Sequence, residues 1–216
     1  EQSLADWQAE LAEALAMAVD HLSLYQLTIE EGTAFADRLA RGGLRGLPDD
    51  DLAADFYDAT QDICGGAGMP AYEVSNHARQ GSESRHNLIY WRAGDYAGIG
   101  PGAHGRLTLD GTRWATTAPR APGEWLRRVE AHGLGETPRE IVSPAEQGTE
   151  YVLMGLRLAD GIDLARYASI TGSSLDPNAI SRLVDLGMIE VENHSLRATP
   201  RGRVLLNAVI ADLVGG

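Results

Sequence analysis

The densest run of chemistry-bearing side chains is Ser84-Arg85-His86-Asn87-Leu88-Ile89-Tyr90-Trp91-Arg92. A neutral imidazole at His86 is a competent metal ligand, for haem iron among others. Tyr90 and Trp91 offer flat apolar faces. Arg85 and Arg92 are suited to bidentate pairing with carboxylates. Together these types suit a large, planar, anionic ligand. They equally describe a buried Tyr and Trp beside a structural His, because aromatic side chains fill cores more often than they bind ligands.

A second run, Gly98-Ile99-Gly100-Pro101-Gly102-Ala103-His104-Gly105, has the glycine content that lets a backbone approach a ligand or adopt positive φ. It lacks the Lys and Ser/Thr of a phosphate-binding Walker loop, and it does not follow the dinucleotide fingerprint. A tight structural turn is the alternative. Two further groups are Ser23-Leu24-Tyr25-Gln26-Leu27-Thr28, whose polar residues stand where a barrel strand would present them to an active site though a half-buried strand explains Tyr25 and Gln26 just as well, and Tyr72-Glu73-Val74-Ser75-Asn76-His77. Glu73 could serve as ligand, base or ion-pair partner, and a structural role is the simpler expectation. His21, His132 and His194 read as surface or element-end residues, and Cys64 as a small buried apolar side chain.

The elements that must position these residues follow from periodicity. Ser3 with Asp6 starts a helix carrying Leu4, Trp7, Leu11 and Leu15 at helical spacing. His21 to Ile29 alternates polar and apolar residues and is expected to form a strand. A charged, Gly-rich stretch runs to Gly46. A second helix starts at Pro48-Asp49 and stops near Gly65-Gly66; a short strand is expected over Ala71–Val74. The order helix, strand, helix, strand points to βα units and a parallel sheet. Residues 75–119 read as one long irregular, functional segment. A domain boundary is expected near 135–143, giving domains 1–140 and 141–216. Helices are expected near 144–157, 163–170 and 177–186. A hairpin about Glu192-Asn193-His194 follows, then a last helix with Leu205, Leu206, Val209, Ile210 and Leu213 on one face. That succession is winged-helix-like.

The composition narrows the function classes. The formal charge is −13, and all 18 basic residues are Arg. An acidic chain is a poor match for nucleic acid. Residues 143–216 carry more acidic than basic side chains, and a recognition helix near 177–186 would offer only Arg182 against Asp185. A winged-helix interaction or DNA-binding module is thus the weaker alternative. No apolar run reaches the roughly 20 residues needed to cross a bilayer, and no signal peptide is visible. The single cysteine forms no intrachain disulfide, and a cytoplasmic location is expected.

Taken together, the motifs resemble one family. His21 to Glu30 with Gly32-Thr33, Tyr72-Glu73-Val74-Ser75-Asn76, Ser84-Arg85-His86-Asn87, Tyr90-Trp91 and Gly98 to Gly105 are similar, in order and spacing, to the oxygen-independent coproporphyrinogen III oxidases. The spacing His86-Asn87-x-x-Tyr90-Trp91 looks like the haem-binding motif of the family's HemW-like haem-chaperone branch. The resemblance implies the C-terminal part of a radical-SAM partial TIM-type barrel, of α/β class, followed by a small, mostly helical, winged-helix-like domain. For the full-length family it implies a [4Fe–4S] cluster and S-adenosylmethionine. Haem or porphyrin is the implied ligand, respiratory haemoproteins the implied recipients, and peripheral membrane association is implied for the full-length protein. Porphyrin biosynthesis, with oxidase activity on coproporphyrinogen III, is the alternative within the family. By the same resemblance Gln26, Leu27, Gly100, Gly102, Ala103 and His104 would border the S-adenosylmethionine pocket. His86, with Arg85, Asn87, Tyr90 and Trp91, would take haem. The family's Cys-x-x-x-Cys-x-x-Cys loop is missing, so this fragment is expected to perform no radical chemistry and to retain at most haem. Glu31 stands where relatives commonly have Pro. A half-barrel exposes sheet edges, which favours dimerisation of the fragment.

Overall fold

A computed structural model describes residues 2–27, 29–44 and 46–215. The chain forms two compact units, 1–84 and 85–216.

In the first unit, α1 (Leu4–Met17) begins at a reciprocal capping box: the Ser3 hydroxyl accepts from the Asp6 amide while the Asp6 carboxylate accepts from the Ser3 amide. There follow β1 (His21–Ser23), α2 (Ala34–Ala40), α3 (Asp50–Gly66) and β2 (Asn76–Ala78). Asp49 caps α3 through the Leu52 amide. Helix α1 packs on α3. The Trp7 indole donates to Thr60 Oγ1 at 2.8 Å and meets the Phe56 ring edge-on, centroids 6.5 Å apart. Leu11 and Cys64 are fully buried in this unit. Removing a side chain the size of Leu11 from water stabilises by roughly 1.5–3 kcal/mol.

Several expectations change here. The strand expected over 21–29 stops at Ser23, because its partner β2 is three residues long; the Leu24 amide still donates to the Ser75 carbonyl. Thr28 lies outside the described residues. Strand β2 falls at 76–78 and not at 71–74, since the Glu73 carboxylate accepts from Ser75 and Asn76 and folds 72–75 into a bend. The two strands pair antiparallel, Leu22 opposite His77, and no parallel pair occurs among the described residues. The Gly-rich stretch contains α2, started by Thr33, whose hydroxyl accepts from the Ala36 amide.

The second unit opens with α4 (Arg85–Trp91). It continues through β3 (His104–Leu109), β4 (Thr112–Thr117), α5 (Pro122–His132) and β5 (Glu140–Ile141). Residues 75–119, expected as one irregular segment, thus hold β2, α4, β3 and β4 with irregular chain between them. Strands β3 and β4 form a hairpin turned at Asp110-Gly111, both at positive φ, and β5 extends it to a three-stranded antiparallel sheet.

A helical module follows: α6 (Pro144–Gly155), β6 (Ile162–Asp163), α7 (Leu164–Thr171), α8 (Pro177–Asp185), β7 (Ile189–Glu192), β8 (Ser195–Ala198), α9 (Pro200–Val204) and α10 (Leu206–Val214). Ser143 and Glu146 form a second capping box, which holds the Glu146 carboxyl below the usual carboxylate range. The three helices and the hairpin fall where the sequence places them. The wing is three-stranded, in the order β6-β8-β7, with Asn193 and His194 at positive φ in its turn. The last helix is broken at Leu205, which is exposed, while Leu206, Val209, Ile210 and Leu213 join a core with Val152, Leu156, Ile162, Leu183, Ile189 and Leu196.

Candidate functional site

Helix α4 carries His86 near its first turn, exposed, with Tyr90 one turn further on. Residues four apart share a helix face, and the two rings meet edge-on with centroids 4.8 Å apart. Tyr90 in turn meets Tyr96 at 4.3 Å. The backbone of Tyr96 pairs with Arg106 of β3 in both directions, at 2.8 and 2.9 Å. A ladder of three rings thus runs from the exposed imidazole toward the hairpin.

The Gly-rich loop lies against the same hairpin. A methyl group on Gly98 would meet the His104 carbonyl oxygen at 2.4 Å, and one on Gly105 the Thr116 hydroxyl at 2.4 Å. Both glycines are accounted for by this close packing. The Gly102 amide donates to the Pro119 carbonyl and the Ala118 amide to the Ala103 carbonyl, so the loop is pinned at Gly102-Ala103 to the chain that follows β4.

Tyr90, Tyr96 and His104 line one cleft of about 340 Å³, closed by Arg106, Arg113, Glu150, Leu153 and Met154. The two motifs therefore share a cavity within the second unit. Its charges are neutralised in place. Arg106 is held by Glu150 at 2.7 Å, which raises the guanidinium pKa further, and Arg113 by Asp95 at 3.0 Å. What the cleft presents is aromatic, thioether and imidazole surface, which suits the face of a flat apolar ring system.

Three further site residues of the second unit do not line this cleft. Trp91 lines a separate cavity, Arg85 is exposed, and Asn87 is half-buried on α4. Gln26 and Leu27 belong to the first unit. The Gln26 amide donates to the Ala53 carbonyl at 2.8 Å, and Leu27 is exposed. In that unit the buried His77 imidazole has its pKa lowered by desolvation, partly offset by a backbone hydrogen bond to Met69 and by the Glu73 charge. His77 Nδ1 and Glu73 Oε2 have no hydrogen-bond partner among the described residues. His21 is half-buried and bonded to the Tyr72 hydroxyl at 3.0 Å, more enclosed than a surface residue.

Arg106, Arg113, Glu150 and Met154 line the cleft although no motif in the sequence marks them as site residues. The Asp110-Gly111 turn, flanked by apolar residues, was the available signal for the hairpin that brings Arg106 and Arg113 in. Glu150 and Met154, four apart on α6, lay in a helix already expected.

An iron–sulfur cluster of the radical type needs three thiolates. This chain has one cysteine, fully buried, whose thiol pKa is pushed up by desolvation. The residues present do not fit a cluster. No group of three or more His, Cys, Asp or Glu among the described residues could hold a metal ion. No helix is long and apolar enough to cross a membrane.

A family profile described as HemN C-terminal domain matches residues 142–205. A protein called "Heme chaperone HemW" from Mycobacterium tuberculosis is 38% identical over 202 residues, covering 94% of this chain and 49% of that protein. The "Heme chaperone HemW" of Bacillus subtilis is 31% identical over 217 residues, covering 99% of this chain and 56% of its own length. The "Radical S-adenosyl methionine domain-containing protein 1, mitochondrial" of Bos taurus is 33% identical over 226 residues, covering 99% of this chain and 50% of its own. The chain spans about half the length of these curated relatives. In structure it is similar to the coproporphyrinogen III oxidase (HemN) of Escherichia coli, titled a radical SAM enzyme, with a TM-score of 0.72 at 14% identity over 98% of this chain and 52% of that one. That likeness establishes the mixed α/β, HemN-type fold. With the profile match and the sequence relatives in agreement, the chain belongs to the HemN/HemW family and carries that family's C-terminal domain.

Proposed function

We propose that this chain is the haem-binding portion of a haem chaperone, in which His86 would supply a ligand to the iron. The observation that carries the reading is the placement of His86. Its imidazole is exposed at the start of α4 and meets Tyr90 edge-on, and Tyr90 lines an aromatic and thioether cleft. A neutral imidazole nitrogen supplies iron ligation. Tyr90 and Tyr96 would present ring edges to the macrocycle, and Arg85, Asn87 and Trp91 would border it. Identity of 31–38% to proteins named as haem chaperones, against 14% to the oxidase, favours chaperone over coproporphyrinogen oxidation.

The cofactors of the whole protein belong to the same proposal. A [4Fe–4S] cluster would be held outside these residues. Within the first unit, Gln26 and Leu27 would border S-adenosylmethionine. Functionally we divide the chain near 140 into a barrel portion, 1–140, and a winged-helix-like portion, 141–216. The profile match beginning at 142 and the capping box at Ser143 support that division. Recipients are haemoproteins.

Haemin titration of the wild-type chain and of His86→Ala tests the reading. Wild type is expected to give a ligand-shifted Soret band, and the variant to bind more weakly with an altered band. Unchanged affinity and spectrum in the variant would sink it.

A further inference from the structure

A second cleft, of about 280 Å³, borders the same helix. Trp91 at the end of α4 and Arg92 just after it line one side; Tyr151 and Gly155 line it from α6, and Leu158 from the turn that follows. The first cleft takes Tyr90 from α4 and Glu150, Leu153 and Met154 from α6. Successive residues of a helix point about 100° apart, so the two clefts lie on different faces of both helices.

The chemistry of the second cleft differs from that of the first. Arg166 of α7 sits over the Tyr151 ring, 4.9 Å from its centroid, and makes no ion pair among the described residues. Tyr151 is 4% exposed. Its hydroxyl accepts from the Asp163 amide at 3.0 Å and has no acceptor for its own proton among the described residues. The Asp163 carboxylate is committed to the start of α7, accepting from the Arg166 amide at 2.8 Å. Arg92 meets Asp160 at 3.7 Å, with side chains 56% and 84% exposed; solvent and a ligand compete readily with so loose a pair. An unpaired guanidinium, an exchangeable second one and a free phenolic proton therefore converge beside the apolar walls of Trp91, Leu158 and Ile162. That combination recognises a carboxylate on a flat, apolar body.

We infer that this cleft binds the propionate edge of a tetrapyrrole. The inference rests on the haem-binding reading above and extends it: one end of α4 serves the iron and the other the carboxylates. The cleft is too small for the whole ring and takes its carboxylate edge.

The test is a titration of wild type, Arg166→Gln and Arg201→Gln with haemin and with haemin dimethyl ester, whose propionates carry no charge. Arg166 is exposed, so its replacement leaves the core intact. Arg201, exposed on α9 and outside both clefts, controls for loss of a positive charge. Arg166→Gln is expected to weaken haemin binding about tenfold, with the Soret position unchanged and the ester bound as by wild type. Arg201→Gln is expected to match wild type with both probes. Equal haemin affinity in Arg166→Gln overturns the inference, as does an equal loss with the ester or an equal loss in Arg201→Gln. His86→Ala separates the two readings. If that variant loses the ligand band while Arg166→Gln is silent, only the propionate cleft fails. If Arg166→Gln shows its selective loss while His86→Ala is unchanged, the cleft stands and the iron ligand lies elsewhere. No haemin binding by wild type overturns both.

Discussion

The ring of His86 stands edge-on to that of Tyr90, centroids 4.8 Å apart and planes at 82°, one helical turn along α4. The contact belongs to the rings and not to the Tyr90 hydroxyl. Such pairs contribute about 0.5–1.5 kcal/mol. Tyr90→Ala is therefore expected to lower haemin affinity by up to about tenfold, and Tyr90→Phe to leave it near wild type. A Phe variant as weak as the Ala variant would show that the hydroxyl, and not the ring, matters.

The pair Arg106–Glu150 ties β3 to α6, with the guanidinium Nε and Nη2 both donating to the carboxylate. Both side chains are mostly enclosed, so Glu150→Ala strands a cation and is expected to destabilise the second unit by about 1–2 kcal/mol. Replacing both partners by apolar residues is expected to recover most of that loss. The partner raises the Arg106 pKa above its ordinary value. Its contribution is therefore present at all pH below the ordinary guanidinium value and is lost only as pH rises through the higher folded-state value. Urea midpoints at several alkaline pH values check both statements; a Glu150→Ala midpoint equal to wild type removes the first.

His77 is buried with its pKa lowered by desolvation. Above the ordinary imidazole value, about 6.5, neither the folded nor the unfolded state binds the proton, and its contribution to stability is complete. As pH falls from there toward the folded-state value, the unfolded state takes up the proton first and stability declines. His77→Gln is expected to flatten that decline. Urea unfolding of the first unit, followed through Trp7 fluorescence between about pH 7.5 and 5, gives the two slopes. Equal slopes would contradict the assignment.

At Gly98 an added methyl would lie 2.4 Å from the His104 backbone oxygen, whereas at Gly111, in the hairpin turn at φ +78°, it would meet open space. Gly98→Ala is expected to destabilise by about 1–3 kcal/mol through overpacking. Gly111→Ala pays only the left-handed backbone strain, about 1–2 kcal/mol. Gly98→Ala is further expected to displace His104 and alter the first cleft, so only that variant should change ligand binding. Thermal midpoints and haemin titration together separate the two.

Local rules made much of the second unit legible. Ser143 and Glu146 mark the start of α6, Asp176-Pro177 that of α8, and Asn193-His194 the wing turn, each through chemistry confined to a few residues. The antiparallel pairing of β1 with β2, where a parallel sheet was expected, was not legible. Leu22 pairs with His77, 55 positions away, and nothing near either residue encodes the direction of that pairing. Helix α5 went unread although Pro122 stands at its start, because its Arg-rich sequence buries no apolar stripe. At the site, the His86–Tyr90 spacing is a property of one helix and is visible in the sequence. The approach of Tyr151 and Arg166 to Trp91 depends on how α4, α6 and α7 pack, and the types of those residues alone do not announce it.

Cys64 is the sole thiol of the chain and has no exposed surface. It belongs to the first unit, so a thiol reagent added to the native protein reacts only when that half opens. The second half could breathe freely and leave no chemical trace. Labelling rate against reagent concentration thus times the opening of residues 1–84 alone, without any introduced probe.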